Sequence, residues 1–170
     1  MARSSSDGPF WYVARVRSCQ EKNVAASLAS KAVEHYLPTQ RVVRKWSDRR
    51  KVVDALVLPR FVFIRCTPRE RLEVLASEPR ICGFLSASGE PCVVRDSEME
   101  SFMRMVEHGS GVRVSDAPLA PGDRVRVLEG PLAGLECELV SVGGGRCLAV
   151  RLGLLGTATM DLDIQTVEKI

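Results

Sequence analysis

The segment Pro59-Arg60-Phe61-Val62-Phe63-Ile64 carries the strongest β-strand signal in the chain. Its aromatic and β-branched residues follow one another without a polar break, as is typical of a strand. In a strand, Phe61 and Phe63 point to one face, and Val62 and Ile64 point to the other. One face must pack on helices of the same domain, and the other is either core or an exposed apolar patch. The residues alone favour core.

Strands and helices are predicted on both sides of this segment. Residues 10–16 form a second aromatic strand, and Ser18-x-x-Glu21 is a capping box that opens an amphipathic helix ending near His35. Further strands are predicted at 40–43 and 52–58, and a hairpin at 81–94. Helices are predicted at 69–77, with Leu72 and Leu75 inward, and after Ser97, with Met99, Phe102, Met103 and Val106 on one face.

The composition changes after Gly109. Residues 110–120 are rich in Gly, Ser and Pro, which is linker chemistry, and residues 121–170 are short strands and turns without a helical period. We therefore predict an α+β protein with an antiparallel sheet and flanking helices at 9–109, a flexible linker at 110–120, and a small β-barrel at 121–170.

The 170 residues, 45% hydrophobic and 26% charged, have the composition of a globular protein. The chain has no apolar run of membrane-spanning length and no signal-peptide core, so we expect a soluble, cytoplasmic protein with no membrane partner. The six cysteines include no C-x-x-C pair, and only two histidines are present. We therefore expect reduced thiols and neither a metal nor another cofactor. Because no nucleotide-binding or hydrolase motif occurs, we predict that the chain is not an enzyme.

The positive charge is concentrated in one segment. Residues 41–51 contain six basic residues and one acidic residue, within a chain whose net charge is +3. Such a segment is either a solvated loop or a strip that faces phosphates, because clustered Lys and Arg release counterions from a polyanion. Trp46, at its middle, either stacks on a base or anchors the loop to the core.

In their order and spacing, several motifs resemble the NusG-type transcription elongation factors, which have an N-terminal NusG domain and a C-terminal KOW barrel of SH3-like form. The first domain is matched by Trp11-Tyr12-Val13, Tyr36-Leu37-Pro38 and Pro59-x-Phe61-Val62-Phe63-Ile64. The KOW signature is matched by Gly122-Asp123-x-Val125-x-Val127-x-x-Gly130-Pro131-x-x-Gly134. The resemblance covers residues 10–170.

The resemblance implies a factor that binds RNA polymerase as a monomer and contacts DNA or nascent RNA in the elongation complex. In the family, aromatic residues of the first domain hold the clamp helices of the polymerase, and a second segment contacts the opposite side of the cleft. The polymerase-binding residues carried over are Trp11, Tyr12, Phe61, Phe63, Arg69, Leu72 and Leu75. Candidates for nucleic-acid binding are Arg15, Arg17 and Lys22, and more weakly Arg44, Lys45, Arg49, Arg50 and Lys51.

The segment Trp46-Ser47-Asp48-Arg49-Arg50-Lys51 is similar to the UpxY-type antiterminators, which act on polysaccharide operons. Three barrel positions, at which the chain departs from the general factor, are candidates for partner binding, and the stretch 155–157 matches part of the surface that the general factor uses for ribosomal protein S10 and the Rho terminator. Here Leu155 and Thr157 stand where the family commonly has Phe and Arg, so an aromatic anchor and a guanidinium are lost, and Leu132 stands where an aromatic residue is usual after Gly-Pro. These replacements argue against Rho as a partner and weaken the case for S10.

Two other classes of function stay open at this stage. A translation-side KOW protein would use the basic segment on ribosomal RNA, although a net charge of +3 is low for that role. A cysteine-dependent redox sensor would need an accessible thiol of low pKa.

Overall fold

The computed structural model describes residues 8–162 and 167–170. The chain divides into two compact units, the first containing residues 8–37 and 59–96 and the second residues 38–58, 97–162 and 167–170. The elements in chain order are β1 (Phe10–Val16), α1 (Glu21–Ser30), β2 (Glu34–Tyr36), β3 (Thr39–Lys45), β4 (Arg50–Leu56), β5 (Phe61–Cys66), α2 (Pro68–Ser77), β6 (Ile81–Phe84), β7 (Ser86–Ala87), β8 (Glu90–Pro91), β9 (Val93–Val94), α3 (Asp96–His108), β10 (Arg113–Ser115), β11 (Asp123–Val127), β12 (Glu136–Val142), β13 (Gly145–Arg151), a 3-10 turn (Gly153–Leu155), β14 (Thr157–Asp161) and β15 (Val167–Lys169).

The sheet of the first unit is antiparallel and is organised around β1. Its strand order is β2-β5-β1-β6, and β9 also pairs with β1. The register between β1 and β5 runs from Phe10 opposite Cys66 to Arg15 opposite Phe61. Both strands occupy the predicted positions, since their aromatic and β-branched residues suit a pleated, buried surface. The predicted α+β class with antiparallel sheets is confirmed.

The core of the first unit lies between one face of this sheet and the two helices α1 and α2. Tyr12, Ala14 and Val16 of β1 and Val62 and Ile64 of β5 provide the sheet side. The buried helix side chains in the same cluster are Val24, Leu28 and Val74. The alternation of β1 and β5 therefore places this half of their residues in a helix-covered core.

The start and the end of α1 differ from the prediction. Its N-cap residue Gln20 makes no side-chain capping bond, and Glu21 does not complete the capping box predicted with Ser18. Instead, the buried Glu21 carboxylate accepts a hydrogen bond of 2.9 Å from the backbone N–H of Arg60. The helix ends at Ser30 rather than near His35, because Ala32 takes a left-handed φ of 54° and turns the chain into β2.

The second unit contains a two-stranded hairpin and a six-stranded antiparallel sheet. β3 and β4 form the hairpin, and the sheet has the order β10-β14-β13-β12-β11-β15, which accords with the predicted small C-terminal β domain. In β11, Val125 and Val127 are buried and the intervening Arg126 is exposed, as the alternation predicted. Gly122, from the matched KOW signature, lies so close to the backbone of Leu139 that a Cβ there would overlap its carbonyl group.

Two further predictions concern the helix α3 and the segment that was predicted as a linker. In α3, Met99, Phe102 and Val106 are buried as predicted, but the fourth buried side chain is Met105 rather than Met103. Within the segment predicted as a linker, Arg113–Ser115 is the strand β10, which pairs with β14.

Candidate functional site

The two faces of the β1–β5 pair separate the predicted polymerase-binding aromatics. Trp11 and Val13 alternate with Tyr12 along β1, and Phe63 lies opposite Val13 in β5. Trp11, Val13, Phe61 and Phe63 therefore share one face, which we call the aromatic face. Tyr12 points to the other face, the one that packs on α1 and α2. The register thus brings together three of the four predicted aromatics and excludes Tyr12.

The aromatic residues of the aromatic face differ in how much of each side chain is exposed to solvent. Phe61 is half-buried, Trp11 is 6% exposed and Phe63 is 0% exposed. The ring centroids of Phe63 and Tyr36 are 6.3 Å apart, which is within the range of favourable ring pairs. Phe61 is therefore the member of the aromatic face that offers a side chain to solvent.

Tyr12 belongs to a ring cluster that sequence analysis missed. Its ring makes edge contacts with Phe10 and Phe84, at centroid distances of 6.3 and 6.0 Å. The Arg71 guanidinium lies 5.3 Å from the centroid of the Tyr12 ring and 5.6 Å from that of Phe84, which is the geometry of a cation–π contact. Burial raises the pKa of the Tyr12 hydroxyl above its ordinary value, and Arg71 opposes that shift. Nothing in the spacing of Arg71 signals this role.

The helix α2 presents apolar side chains to solvent where the sequence predicted an inward face. Leu72 is 58% exposed and Leu75 is 37% exposed, whereas Val74 is the buried residue of this helix. The prediction that Leu72 and Leu75 point inward is wrong, because Val74 is the apolar side chain that α2 contributes to the core. The helix start is well formed, with Thr67 and Glu70 as a reciprocal capping box. Arg69 is exposed on the same helix and pairs with Glu73 at 3.2 Å.

The basic residues Arg15, Arg17 and Lys22 lie at the junction of β1 and α1. All three side chains are exposed. In the part of the chain that the structure describes, none of them makes an ion pair. The positive charge of this junction is therefore available to an anionic partner.

The basic segment forms a protruding ribbon, which we call the basic hairpin and define as β3, β4 and the four-residue loop 46–49. The strands extend to Lys45 and begin again at Arg50, so the predicted loop is shorter than its sequence suggested. The loop is closed by a hydrogen bond of 2.7 Å from the backbone N–H of Trp46 to the carbonyl of Arg49. All residues from Arg41 to Val52 are exposed, and the Trp46 side chain is 59% exposed.

The register of the basic hairpin places like charges opposite each other. Arg44 faces Lys51, and Lys45 faces Arg50. Directly opposed like charges in an antiparallel pair are destabilising. Among the described residues, none of these four side chains has an ion-pair partner. Arg41 differs, because its guanidinium lies 3.9 Å from the Asp54 carboxylate on the facing strand.

Gln40 fixes the base of the basic hairpin to the C-terminal end of α3 and to the chain that follows it. Its side-chain Nε2 donates to the carbonyls of Val106 and Gly109, at 3.1 and 3.3 Å. Its Oε1 accepts from the backbone N–H of Val112 at 3.0 Å. One half-buried amide therefore satisfies three backbone groups. No sequence pattern marks Gln40, since its partners lie more than 60 residues away.

The three predicted partner-binding residues, one in β14 and two in turns between strands of the six-stranded sheet, are interior. Leu132 is 0%, Thr157 3% and Leu155 8% exposed. The Thr157 hydroxyl accepts a hydrogen bond from Arg151, at 3.2 Å. These positions therefore contribute packing and internal hydrogen bonds in this structure.

Arg151 is also the centre of a charged network that sequence analysis missed. It pairs with Glu138 at 2.7 Å and donates to the carbonyls of Leu119 and Ala120. Glu138 in turn accepts from the backbone N–H of Gly122. The hydrogen bond from Arg151 lowers the pKa of Glu138, against the opposing effect of burial.

The side chains and helices of the described residues bear on metal binding and on membrane insertion. Residues 8–162 and 167–170 contain no cluster of three or more His, Cys, Asp or Glu side chains that could hold a metal ion. No helix among them has both the length and the apolar character needed to span a bilayer.

Comparison with known proteins defines first a class and then a family. A family model described as "Transcription termination factor nusG" matches residues 9–103, more than half of the chain. The class is thus that of transcription factors rather than enzymes. The chain belongs to the NusG family.

Individual relatives extend the match over nearly the whole chain. The transcription termination/antitermination protein NusG of Pseudomonas aeruginosa is 25% identical, covering 94% of this chain and 98% of the relative. Its counterpart in Escherichia coli strain K12 is 27% identical, with coverages of 94% and 95%. A solved structure described as "Domain interaction in Thermotoga maritima NusG" aligns with a TM-score of 0.48 at 20% identity, covering 95% of this chain and 97% of that one.

Proposed function

We propose that this protein is a bacterial elongation factor and processive antiterminator that binds the clamp helices of RNA polymerase. The observation that carries the proposal is the aromatic face, where the β1–β5 register brings Trp11, Phe61 and Phe63 together. The opposite face packs on α1 and α2. On the aromatic face, Trp11 and Phe63 are buried in this structure, and Phe61 is the half-buried member that offers an anchor to an apolar partner. A pair of amphipathic helices is a partner of that kind, and a few aromatic anchors would dominate its binding energy.

A second polymerase contact is proposed on α2. Leu72 and Leu75 lie three residues apart and therefore on neighbouring positions of one helical surface, with Arg69 one turn before Leu72. The exposure of both leucines supports this assignment, since large apolar side chains side by side on a surface mark interaction sites. Contacts on both sides of the RNA polymerase cleft would hold the polymerase clamp closed and so disfavour paused states. This effect is a population shift that requires no chemical step.

The specialised, operon-specific role is also part of the proposal. It rests on the similarity of residues 46–51 to the UpxY-type antiterminators. Leu132, Leu155 and Thr157 are interior, so none of them offers an exposed anchor for Rho or ribosomal protein S10. The proposed factor is a cytoplasmic monomer that keeps the polymerase contact and does not bind Rho.

Nucleic acid is the second proposed partner. Arg15, Arg17 and Lys22 form an exposed cationic junction in the first unit, and the basic hairpin provides Arg44, Lys45, Arg49, Arg50 and Lys51 in the second. Unpaired cations contribute to binding a polyanion because they release its condensed counterions. We propose that the junction contacts exposed DNA near the transcription bubble.

The proposal is tested by a nuclease-treated pull-down of the tagged full chain from cell lysate. We expect recovery of RNA polymerase subunits and loss of most of that recovery in Phe61→Ala and in Leu72→Ala with Leu75→Ala. Phe63 is unsuited to this test, because a fully buried ring reports on stability as well as binding. Leu128→Ala is the matched control, since Leu128 is a 46% exposed leucine in the other unit.

Recovery of ribosomal proteins without polymerase would replace this proposal with the translation-side alternative. If polymerase is recovered equally with wild type and with all variants, RNA polymerase is a partner but the assigned surfaces do not bind it. If recovery depends on these residues, transcription through a terminator becomes the next assay.

A further inference from the structure

The tip of the basic hairpin combines two features that the proposed polymerase contact leaves unexplained. An indole that is 59% exposed stands at the first position of the loop, and two like-charged pairs lie directly beneath it. A tryptophan this exposed forgoes the apolar burial that usually makes the side chain stabilising. The fold therefore gains little from Trp46, and its indole is left accessible to a partner.

The charges around Trp46 define the sign of that partner. Arg44 faces Lys51 on one face of the ribbon, and Lys45 faces Arg50 on the other, so both faces of the tip are cationic. Facing strands are about 5 Å apart and successive residues about 3.3 Å apart, so the four cations lie within one or two residue steps of the loop. Arg49 adds a fifth cation inside the loop, and Asp48 is its single acidic residue. An anionic ligand would relieve the repulsion within each pair.

The exposed indole selects among anionic ligands. Bases in a duplex are already stacked on each other, so an aromatic side chain gains a stacking partner only by forcing them apart. Bases in a single strand are free to stack on an aromatic side chain, while cations along a groove follow the backbone. A cationic ribbon that ends in an exposed aromatic residue thus suits a single strand better than a duplex or an acidic protein.

We infer that the tip of the basic hairpin binds single-stranded nucleic acid, with one base stacked on Trp46 and the neighbouring phosphates held by Lys45, Arg50 and Lys51. This inference deepens the proposed function and rests on it for its setting, since an elongation complex exposes single strands of both DNA and RNA. Stacking tolerates any base, so the contact favours strandedness over sequence.

The test measures binding of the full chain to an oligothymidylate and an oligouridylate of about 12 nucleotides and to a duplex of the same length. We expect the wild type to prefer the single strands and Trp46→Ala to weaken their binding about 5- to 150-fold, the range for one stacked base. Duplex binding should change less than about twofold. The two oligonucleotides distinguish DNA from RNA as the source of the strand.

Intrinsic fluorescence supplies a second readout. The chain has two tryptophans, and Trp11 is 6% exposed, so quenching by a bound strand reports on Trp46. Quenching should disappear in Trp46→Phe, which keeps an aromatic ring and should bind more tightly than Trp46→Ala.

Salt dependence tests the cations. Lys45→Gln with Lys51→Gln should lower the slope of log K against log salt by about 1.4, because each phosphate contact on a single strand contributes about 0.7. Arg41→Gln is the matched control, and it should change the slope less because Arg41 already faces Asp54.

Unchanged single-strand affinity in Trp46→Ala would overturn the inference, as would tighter binding of the duplex or an equal dependence of poly-glutamate binding on Trp46. The pull-down separates this inference from the proposed function. Trp46→Ala should recover polymerase as well as wild type does. If wild type recovers no polymerase yet binds single strands through Trp46, the proposed function fails and the inference stands.

Discussion

The two tryptophans of this chain occupy opposite surroundings. Trp11 lies in β1, which has paired strands and a 6% exposed indole, whereas Trp46 lies at the end of a two-stranded ribbon with an indole 59% exposed. Both belong to segments of aromatic, β-branched and basic residues. A strand at the centre of a sheet has neighbours on both edges, and an isolated hairpin has none beyond its own partner strand.

The charged residues of the first-unit sheet and of the basic hairpin show the same contrast. Arg65, in the sheet of the first unit, pairs with Glu34 at 3.3 Å and with Asp96 at 3.6 Å. The four cations at the tip of the basic hairpin face one another instead. The charge of Arg65 is thus satisfied within the fold, whereas these four hairpin cations are left for a partner. We therefore expect substitutions in the sheets to affect stability and substitutions at the hairpin tip to affect single-strand binding, and the following variants test that difference.

The largest effect is expected in the sheet. Phe63→Ala removes a fully buried ring from β5, the strand paired with both β1 and β2, and it should lower the free energy of unfolding by about 3–5 kcal/mol. Trp46→Ala should change it by less than about 0.5 kcal/mol, because an exposed side chain has few contacts to lose. Chemical denaturation of both variants measures the difference. Equal losses would break the comparison, since Trp46 would then be a structural residue.

An intermediate effect is expected where a cation is satisfied inside the fold, at Arg151 of the six-stranded sheet. Glu138→Gln keeps the shape of the side chain and removes the charge that accepts from Arg151, so it should cost about 1–3 kcal/mol. The matched substitution in the hairpin is Asp54→Asn, which removes the exposed partner of Arg41 and should cost at most about 1 kcal/mol.

Acid should reduce the effect of Glu138→Gln. Arg151 lowers the pKa of Glu138 in the folded protein below its ordinary value of 4.5. Between that lowered pKa and the ordinary value, the unfolded chain therefore binds a proton more readily than the folded protein does. The stabilisation is therefore complete above about pH 4.5 and is lost as the pH falls through the lowered value. Denaturation midpoints of wild type and variant should converge in acid, and a constant difference down to pH 2 would contradict the assigned pair.

The smallest effect has the opposite sign. Lys51→Glu places an acidic residue opposite Arg44 and should stabilise the protein by about 0.2–1 kcal/mol while weakening single-strand binding. Thermal denaturation and oligonucleotide binding on the same variant measure both changes. Lys51→Gln is the control, because it removes the repulsion without creating an attraction. A loss of stability in Lys51→Glu would show that the hairpin already satisfies its charges.

The sequence predicted the strands β1 and β5 of the first-unit sheet well, and the reason is physical. β1 and β5 combine uninterrupted apolar residues with flanking turn residues, and this local signal agrees with the pairing that the fold provides. Val125 and Val127 were predicted with the same ease, since a period of two is visible within five residues. Trp11 and Phe63 are buried, as the residues alone favoured, and the proposal of a polymerase site on this face comes from the family resemblance.

Predictions failed where a distant residue decides the outcome. Glu21 was expected to cap its own helix, but its carboxylate bonds to the Arg60 amide 39 residues away. Leu72 and Leu75 fit a helical apolar stripe, yet Val74 is the residue that enters the core. Tyr12 could not be separated from Trp11 without the register and the helices that cover only one face. Such contacts leave no local pattern to detect.

The three hydrogen bonds of Gln40 also have a mechanical consequence. The strand pairs of the basic hairpin extend from Thr39 and Leu56 to Lys45 and Arg50, a length of about 20 Å at 3.3 Å per residue. A sideways force at Trp46 therefore acts on a cantilever that is clamped near its base. The clamp is the Gln40 amide, which holds the carbonyls at the end of α3 and the amide just before β10. A force that bends the ribbon would therefore act, through these hydrogen bonds, on the C-terminal turn of α3.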